Sequence, residues 1–536
     1  MLSVAIVGTG PTGLYTFAAL SKRQEPCRIA LYEKGDSLGV GTPYSEETAT
    51  RAMLANIASI EIPPLCGGYL DWMQAQPAAF LRRFGLTHAD LDARLFTPRL
   101  MLGAWFNAQF LELIAAAEAA GHVVEVHTGV EVTDVRAGDR GLRVVAGTQE
   151  AVYDRVVLAS GHSFAEDAQT ARYFPNPWSG LIQTDVPAAR VGVLGTSLSA
   201  IDAAMAVAAQ HGRFVRAAGQ ADDLVYERQA EGLQIMLMSR SGVLPEADFY
   251  CPIPYAPLDI MTGAALSEAL AGPAPLDALF DLFRAEIAAA DPGYAAHVGL
   301  ERLDADSFAA AYFADRLARD PFGWARENLA EVERDRAARR TVGWRYAILR
   351  MHETVEAVLA DLPEADRARF DAGLKRVFID NYAAVPPESI RRLLALRDAG
   401  VLQVAALGDD YDLEIGETGT QIGTKGRVLR FDVFIDARGQ RPMQSADLPF
   451  PALRAALEAA GQDLPELDEG YVLRGVPGYG GRLVLAALPY LMHDRPFVQG
   501  ITASAEIGAA VAAGLERAEA APRRRWRWAQ MLDWAA

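Results

Sequence analysis

"SVAIVGTGPTGLYTFAAL", residues 3–20, decides the fold. An apolar run of strand length breaks at Gly8, Gly10 and Gly13, with Pro11 and Thr12 inside the turn, and an apolar helical pattern follows at once. A second strand, "RIALYEKG" (28–35), ends in Glu33 and Lys34, with Glu33 lying 20 residues after Gly13. In a βαβ dinucleotide site the glycines allow a tight turn and close backbone approach, and the helix N-terminus receives a pyrophosphate. An acid at the tip of the second strand takes the ribose hydroxyls. Strand, glycines, helix, strand and acid occur here in that order. The stretch therefore reads as a dinucleotide unit rather than a glycine-rich structural turn.

Further along, "GVGTPYSEETATRAMLANIASIEIPPLCGGYLDWM" (39–73) is rich in turn formers, and helical patterning follows through "LMLGAWFNAQFLELIAAAEAAG". Short strands then alternate with turns up to "YDRVVLASGHS", whose apolar run stops at Gly161 with His162 directly after it. "ARVGVLGTSLSAIDAAMAVAAQHG" (189–212) repeats the strand, turn and helix order in degraded form: Gly195 holds the first glycine position, Thr196 follows, and Ser197 and Ala200 replace the other two glycines. Alanine suits the third position, which serves helix–strand packing. The next strand, "LQIMLMSRSG", ends in Ser239, Arg240 and Ser241 with no acid, which suits a 2′-phosphate and hence NADPH. Its distance from Gly195 requires an intervening insertion. The incomplete fingerprint reads either as a working nicotinamide-nucleotide site or as a structural remnant.

From about 255 to 400 the pattern is helical and charged, with Pro-Gly and Pro-Pro breaks. Strands return in "VLQVAALG" and "VLRFDVFIDARGQRP", whose run to Gly439 parallels the one to Gly161. A last Gly-to-helix turn opens at Gly500 and Ile501, and the tail "PRRRWRWAQMLDW" reads as a docked amphipathic helix.

The bulk composition narrows the partners. A net charge of −18 argues against nucleic acid, since phosphate neutralisation needs clustered Lys and Arg. The three cysteines, Cys27, Cys66 and Cys251, form no C-x-x-C pair, so neither a disulfide framework nor a metal site is signalled. No basic n-region precedes the first strand and no window of about 18 residues is continuously apolar. The expectation is a cytoplasmic protein without a membrane span; the oligomeric state is not encoded.

Two dinucleotide units, each followed by a strand ending in glycine, resemble the two-dinucleotide-binding flavoprotein architecture. More narrowly, "GTGPTGLYT" (8–16), "GVGTPYS" (39–45), "NIAS" (56–59), "FTPRLMLGAW" (96–105) and "GTSLSAID" (195–202) resemble the bacterial FAD/NAD(P)-binding flavoprotein family, which includes amino-acid N-hydroxylases. The resemblance implies an α/β chain with two Rossmann-like dinucleotide-binding domains and an inserted helical subdomain. It places the first part of an FAD-binding domain at 1–165 and of an NAD(P)-binding-like domain at 188–254. The helical substrate insertion would occupy 255–400, and the two domains would resume at 401–431 (NAD(P)) and 432–536 (FAD, with the tail).

Carried onto this sequence, FAD would take Gly8, Gly10, Pro11, Thr12, Gly13, Glu33 and Lys34, with Tyr44, Asn56 and Arg99 nearer the flavin. Gly161, His162, Gly439, Gly500 and Ile501 would close the cofactor sites. NADPH, or NADH, would take Gly195, Thr196, Ser197, Ser239 and Arg240. Two features differ from related patterns: Gln499 stands where an acid usually precedes the final glycine, and the sensor motif of Baeyer–Villiger enzymes is absent.

The chemistry expected is NAD(P)H-dependent oxygen insertion into a small polar amine or amino acid, with dioxygen as co-substrate. A flavin-dependent dehydrogenase or oxidase, and an FAD-bound sensor with negligible turnover, are the alternatives. Arg345, Asn381 and Tyr382 in the insertion are the residues expected to contact substrate, since a small polar molecule needs a few fixed donors in an apolar cleft. His352 reads as a packed or solvated helix residue.

Overall fold

In a computed structural model of the chain, residues 1–161, 172–178, 180–216, 224–424, 426–498 and 500–520 are described. The opening apolar run is the strand Leu2–Val7, buried from Val4 onward and parallel to Cys27–Tyr32 on one side and Arg155–Leu158 on the other. Strands this apolar on both faces pair in parallel where helices cover the sheet from both sides. Leu483–Leu485 and Val123–His127 form the edges, giving the order 483–485, 155–158, 2–7, 27–32, 123–127. The helix Pro11–Leu20 crosses over from the first strand to the second, and Gly500–Ala520 packs along it. A side chain at Gly508 would prevent that approach, because its Cβ would lie 2.6 Å from the carbonyl carbon of Tyr15.

The second sheet runs 402–406, 234–239, 190–194, 433–436, 173–174, all parallel, and repeats the first position by position. Each sheet has a three-stranded antiparallel meander directly before its return strand. The first spans Asp134–Tyr153 and leads into Arg155–Leu158; the second spans Asp412–Phe431 and leads into Val433–Asp436. The boundary expected at 432 is therefore corrected. Val433–Asp436 pairs with Arg190–Leu194, and the chain rejoins the first unit only beyond Gly439, where Met443, Leu448 and Phe450 enter its core. The parallel between the runs to Gly161 and to Gly439 points the same way, each closing its own unit. The extra length between Gly195 and Arg240 is a hairpin of Gly212–Arg216 and Leu224–Arg228.

Between their second and third strands both units carry an excursion. In the first it includes Arg99–Ala119, a helix long and apolar enough to cross a membrane. Here Trp105, Phe106 and Phe110 are wholly buried against the first sheet, and truncating any one to Ala would cost about 3–5 kcal/mol. In the second unit the excursion is the helical insertion, which does not behave as one body. Helices including Pro275–Ala290, Gly343–Glu356 and Leu374–Tyr382 build their own core around Phe283, Phe308 and Phe378, whereas Pro321–Ala338 and Pro387–Asp398 pack on the second unit. The first unit reaches into the insertion: Phe497 joins that core, and its N–H donates to Glu356 Oε1 at 2.8 Å.

Candidate functional site

In open α/β sheets ligands bind beyond the carboxyl ends of the strands. Here those ends of both sheets border one cavity of about 2320 Å³. Gly8 (φ +90°) and Gly13 shape the first turn. A Cβ on Gly8 would lie 2.4 Å from the Ala159 carbonyl oxygen, and one on Gly13 would lie 2.1 Å from that of Gly8. Gly8, Gly10, Pro11 and Thr12 line the cavity, while Gly13 sits behind them. No side chain caps the helix that starts at Pro11, so its N-terminal N–H groups are left for an anion. Glu33 is fixed at the second strand's tip: Oε2 accepts from the Thr9 N–H (3.0 Å) and hydroxyl (2.7 Å), and Oε1 from the Gly35 N–H (2.9 Å). Lys34 is exposed at the rim.

Tyr44, Asn56 and Arg99 form the opposite wall. Arg99 Nη2 donates to Asp202 Oδ2 at 2.8 Å, joining the first unit to the helix Leu198–His211 of the second, and the guanidinium lies 5.6 Å over Trp178. Burial pushes the Asp202 carboxyl up, and Arg99 pulls it back. Asn56 Oδ1 and Arg99 Nε, both buried in that wall, have no protein partner. An uncapped helix start, a fixed ribose acceptor and two orphaned polar atoms around one large cavity fit FAD. Gly161, Gly439, Gly500 and Ile501 complete the lining; His162 and Gln499 lie outside the described residues.

The second turn has the same architecture with different residues. A Cβ on Gly195 (φ +141°) would lie 2.6 Å from the Ala437 carbonyl oxygen, the counterpart of Gly8 over Ala159. Ser197 stands at the N-cap of Leu198–His211 without capping it, and Leu198 and Ser199 of that helix reach the cavity. Gly195, Thr196, Ser197, Ser239 and Arg240 lie outside the lining. The Thr196 hydroxyl donates to Ser239 Oγ at 3.2 Å, tying the turn to the strand tip.

Arg240 is half exposed and 3.5 Å from Asp409, which corrects the reading that no acid is near it. Helix Leu374–Tyr382 supplies a second cation there. Among the described residues Arg376 forms no ion pair; it stacks 5.1 Å over Phe313 and is lowered from its ordinary pKa first by burial and then by the Arg240 charge. The charges of these two arginines, from distant segments, act on one another, with Asp380 and Asp409 acting on Arg376 in the opposite sense.

Of the three insertion residues, Asn381 and Tyr382 line the cavity and Arg345 does not. Arg345 is buried, with Nε donating to Glu246 at 2.7 Å and both Nη atoms to Glu331 at 3.1 Å. Its donors are consumed in holding the insertion to the second unit, so the substrate-contact expectation is corrected. Tyr382 stacks on His352 at 5.4 Å, which puts that histidine in the cavity wall as well.

Sequence reasoning also missed Arg376 and Asp248. No motif marks Asp248; its cue is a Pro-rich loop soon after a parallel strand, where sites collect. Among the described residues no group of His, Cys, Asp or Glu is arranged to hold a metal ion.

Twin parallel sheets, each with a glycine-crossed turn and both opening on one cavity, define a two-dinucleotide-binding flavoprotein. Residues 5–163 match the family described as FAD-NAD(P)-binding, which agrees with a flavin and nicotinamide-nucleotide site. Residues 262–382 match the YdhS-like middle domain. The chain is 48% identical over 530 residues to the uncharacterized protein YdhS of Escherichia coli (strain K12), covering 98% of this chain and 99% of that one; it belongs to the YdhS family. Its fold is similar to that of the ornithine N-hydroxylase of Kutzneria sp. 744, at 15% identity and a TM-score of 0.52 over 96% of this chain and 99% of that one. A bacillithiol disulfide reductase from Staphylococcus aureus matches at 11% identity and a TM-score of 0.40, over 96% and 99% of the two chains.

Proposed function

We propose that the protein is an FAD-dependent, NADPH-consuming monooxygenase that hydroxylates a small amine or amino acid. The observation that carries this reading is the single cavity. Its walls run from the Gly8–Thr12 turn past Leu198 and Ser199 of the second unit to Asn381 and Tyr382 of the insertion, so both nucleotides and a small substrate have access to one space. The ornithine N-hydroxylase that shares the fold was solved with reduced FAD, NADP⁺ and L-ornithine, which supports the same division of the site here.

Glu33 would hold the FAD ribose, the uncapped helix start its pyrophosphate, and Tyr44, Asn56 and Arg99 would border the reactive ring. Arg240 and Arg376 would clasp the 2′-phosphate of NADPH in competition with Asp409 and Asp380, the latter already held by Arg316. Bound flavin supplies two-electron transfer from the nicotinamide and reaction with dioxygen; the protein orients the partners and excludes water. The aromatic wall of Tyr382, His352 and Phe497 provides that exclusion. Cys27, Cys66 and Cys251 form no disulfide among the described residues, which suits the reducing cytoplasm proposed as its location.

The test is anaerobic mixing of the FAD-loaded protein with NADPH, followed by oxygen uptake with and without amines. Bleaching of the flavin, and amine-stimulated oxygen consumption with a hydroxylated product, are expected. Bleaching without product would make the protein a reductase or oxidase, and no bleaching would leave a flavin-bound sensor.

A further inference from the structure

The cavity extends beyond the residues assigned so far, into a lobe between the loop around Glu61 and the segment Asp248–Tyr255. Its carboxylates are Asp248 and Glu61, and Arg94 and the Tyr255 hydroxyl also line it. No hydrogen bond or ion pair from the described residues reaches the Asp248 carboxylate. Glu61 receives only neutral donors, the Tyr255 hydroxyl at 3.1 Å and the Ala58 N–H at 3.0 Å. The nearby cation, Arg94, is engaged elsewhere: it donates to the Cys251 carbonyl and lies 4.4 Å over Tyr250.

Asn381 gives an independent indication of a ligand. It is 2% exposed and lines the cavity, and its Nδ2 donates to the Arg345 carbonyl at 3.3 Å. That carbonyl can only accept, so the amide orientation is fixed and Oδ1 is the end left without a donor. A bridge between Ala247 and Val385, with the Asp248 N–H donating to the Val385 carbonyl at 2.7 Å, brings the chain just after Asn381 alongside Asp248. A buried orphan acceptor and an unpaired carboxylate lining the same cavity leave a desolvation penalty that no donor among the described residues relieves. The complement is a ligand that carries positive charge and several N–H groups.

We propose that Asp248, with Glu61 and the Asn381 carbonyl, is the binding site for a primary ammonium group. Calling that cation the substrate rests on the monooxygenase reading; the site itself does not. The lobe then selects alkylamines, diamines and amino acids that present a side-chain ammonium, and disfavours dicarboxylates. Burial, then Glu61, push the Asp248 carboxyl up to about 7, opposed by Arg94 and Arg336, while Cys251 and Tyr255 face it from its own segment. The carboxylate is the charged form, so cation binding strengthens as pH rises through 7 and weakens below it.

The experiment is calorimetric titration of the FAD-loaded protein with butylamine, 1,4-diaminobutane and glutarate at pH 6 and pH 8. Both amines remain charged at either pH. Saturable amine binding, about tenfold tighter at pH 8, is expected, with no glutarate binding. Asp248→Asn should lose about tenfold in amine affinity at pH 8 and flatten the pH dependence, with FAD content confirming that the variant is folded. No saturation by either amine, unchanged affinity in Asp248→Asn, or equal or tighter binding at pH 6 would overturn the proposal. The pH ratio of the unmutated protein decides the matter if the variant does not fold. Flavin bleaching by NADPH in the unmutated protein is read separately. Amine binding without bleaching removes the oxygenase and keeps the cation site, and bleaching without amine binding removes the cation site and keeps only the nicotinamide-reducible flavin.

Discussion

The two nucleotide units have the same strand order, the same meander and the same glycine-crossed return strand, yet they present opposite chemistry at the tip of the second strand. The first ends in Glu33, locked by three donors; the second ends in Ser239 and Arg240, with Arg376 facing from the insertion. Topology supplies an anion-accepting turn in both. What distinguishes them is one side chain at the strand tip, an acceptor suited to ribose hydroxyls in the first and a cation suited to a phosphate in the second, the roles proposed above. The turns differ in tolerance too: Gly13 has no room for a methyl group, whereas Ala200 occupies the corresponding place in the second unit, fully buried.

Exchanging those two residues tests the comparison most severely. Gly13→Ala should abolish FAD retention, because the new Cβ would collide with the Gly8 carbonyl 2.1 Å away. Ala200→Gly should keep its flavin and lose only about 1 kcal/mol of stability, the ordinary penalty of glycine in a helix. Flavin absorbance per polypeptide after gel filtration separates the two; equal retention would mean the turns are not distinguished by their packing.

The joint between the units comes next. Arg99→Ala strands the Asp202 carboxylate, only 5% exposed, and should destabilise the protein by about 3 kcal/mol. Asp202 is already raised by burial, and losing Arg99 raises it further. The loss should therefore grow as pH rises and shrink toward acid, where a protonated Asp202 needs no counter-ion. Thermal unfolding across pH checks this, and a pH-independent loss would remove Asp202 from the explanation.

At the strand tips the effects should be smaller and should not cross between units. Glu33→Ala should weaken FAD binding roughly 100-fold, through the lost ribose bonds and the freed Thr9 N–H together. Arg240→Ala and Arg376→Ala should each raise the KM for NADPH about tenfold and leave that for NADH unchanged. Flavin dissociation and steady-state kinetics with both nucleotides would show it; a matching rise for NADH would mean that these arginines do not read the 2′-phosphate.

The order of strand, glycines, helix, strand and acid could be read directly from residues 3–33, because apolar periodicity and the backbone demands of a tight turn are local properties. So could the degraded second copy, the insertion and the kinship of the runs to Gly161 and Gly439. The role of Arg345 was not legible. Sequence shows a cation on a helix, and only packing shows Glu246, 99 positions away, taking its donor. Arg376 likewise looks like a surface charge unrelated to Arg240 until the insertion folds back on the second sheet, and Asp248 has no motif at all.

By itself, then, the sequence determined two dinucleotide-type turns and the residues at their strand tips, since backbone geometry and strand-tip residues are set within one βαβ unit. The tertiary structure alone decided which charges are neutralised and which remain open to a ligand. That depends on partners such as Arg99 and Asp202, 103 residues apart, which only the packing of one unit against the other brings within hydrogen-bonding distance.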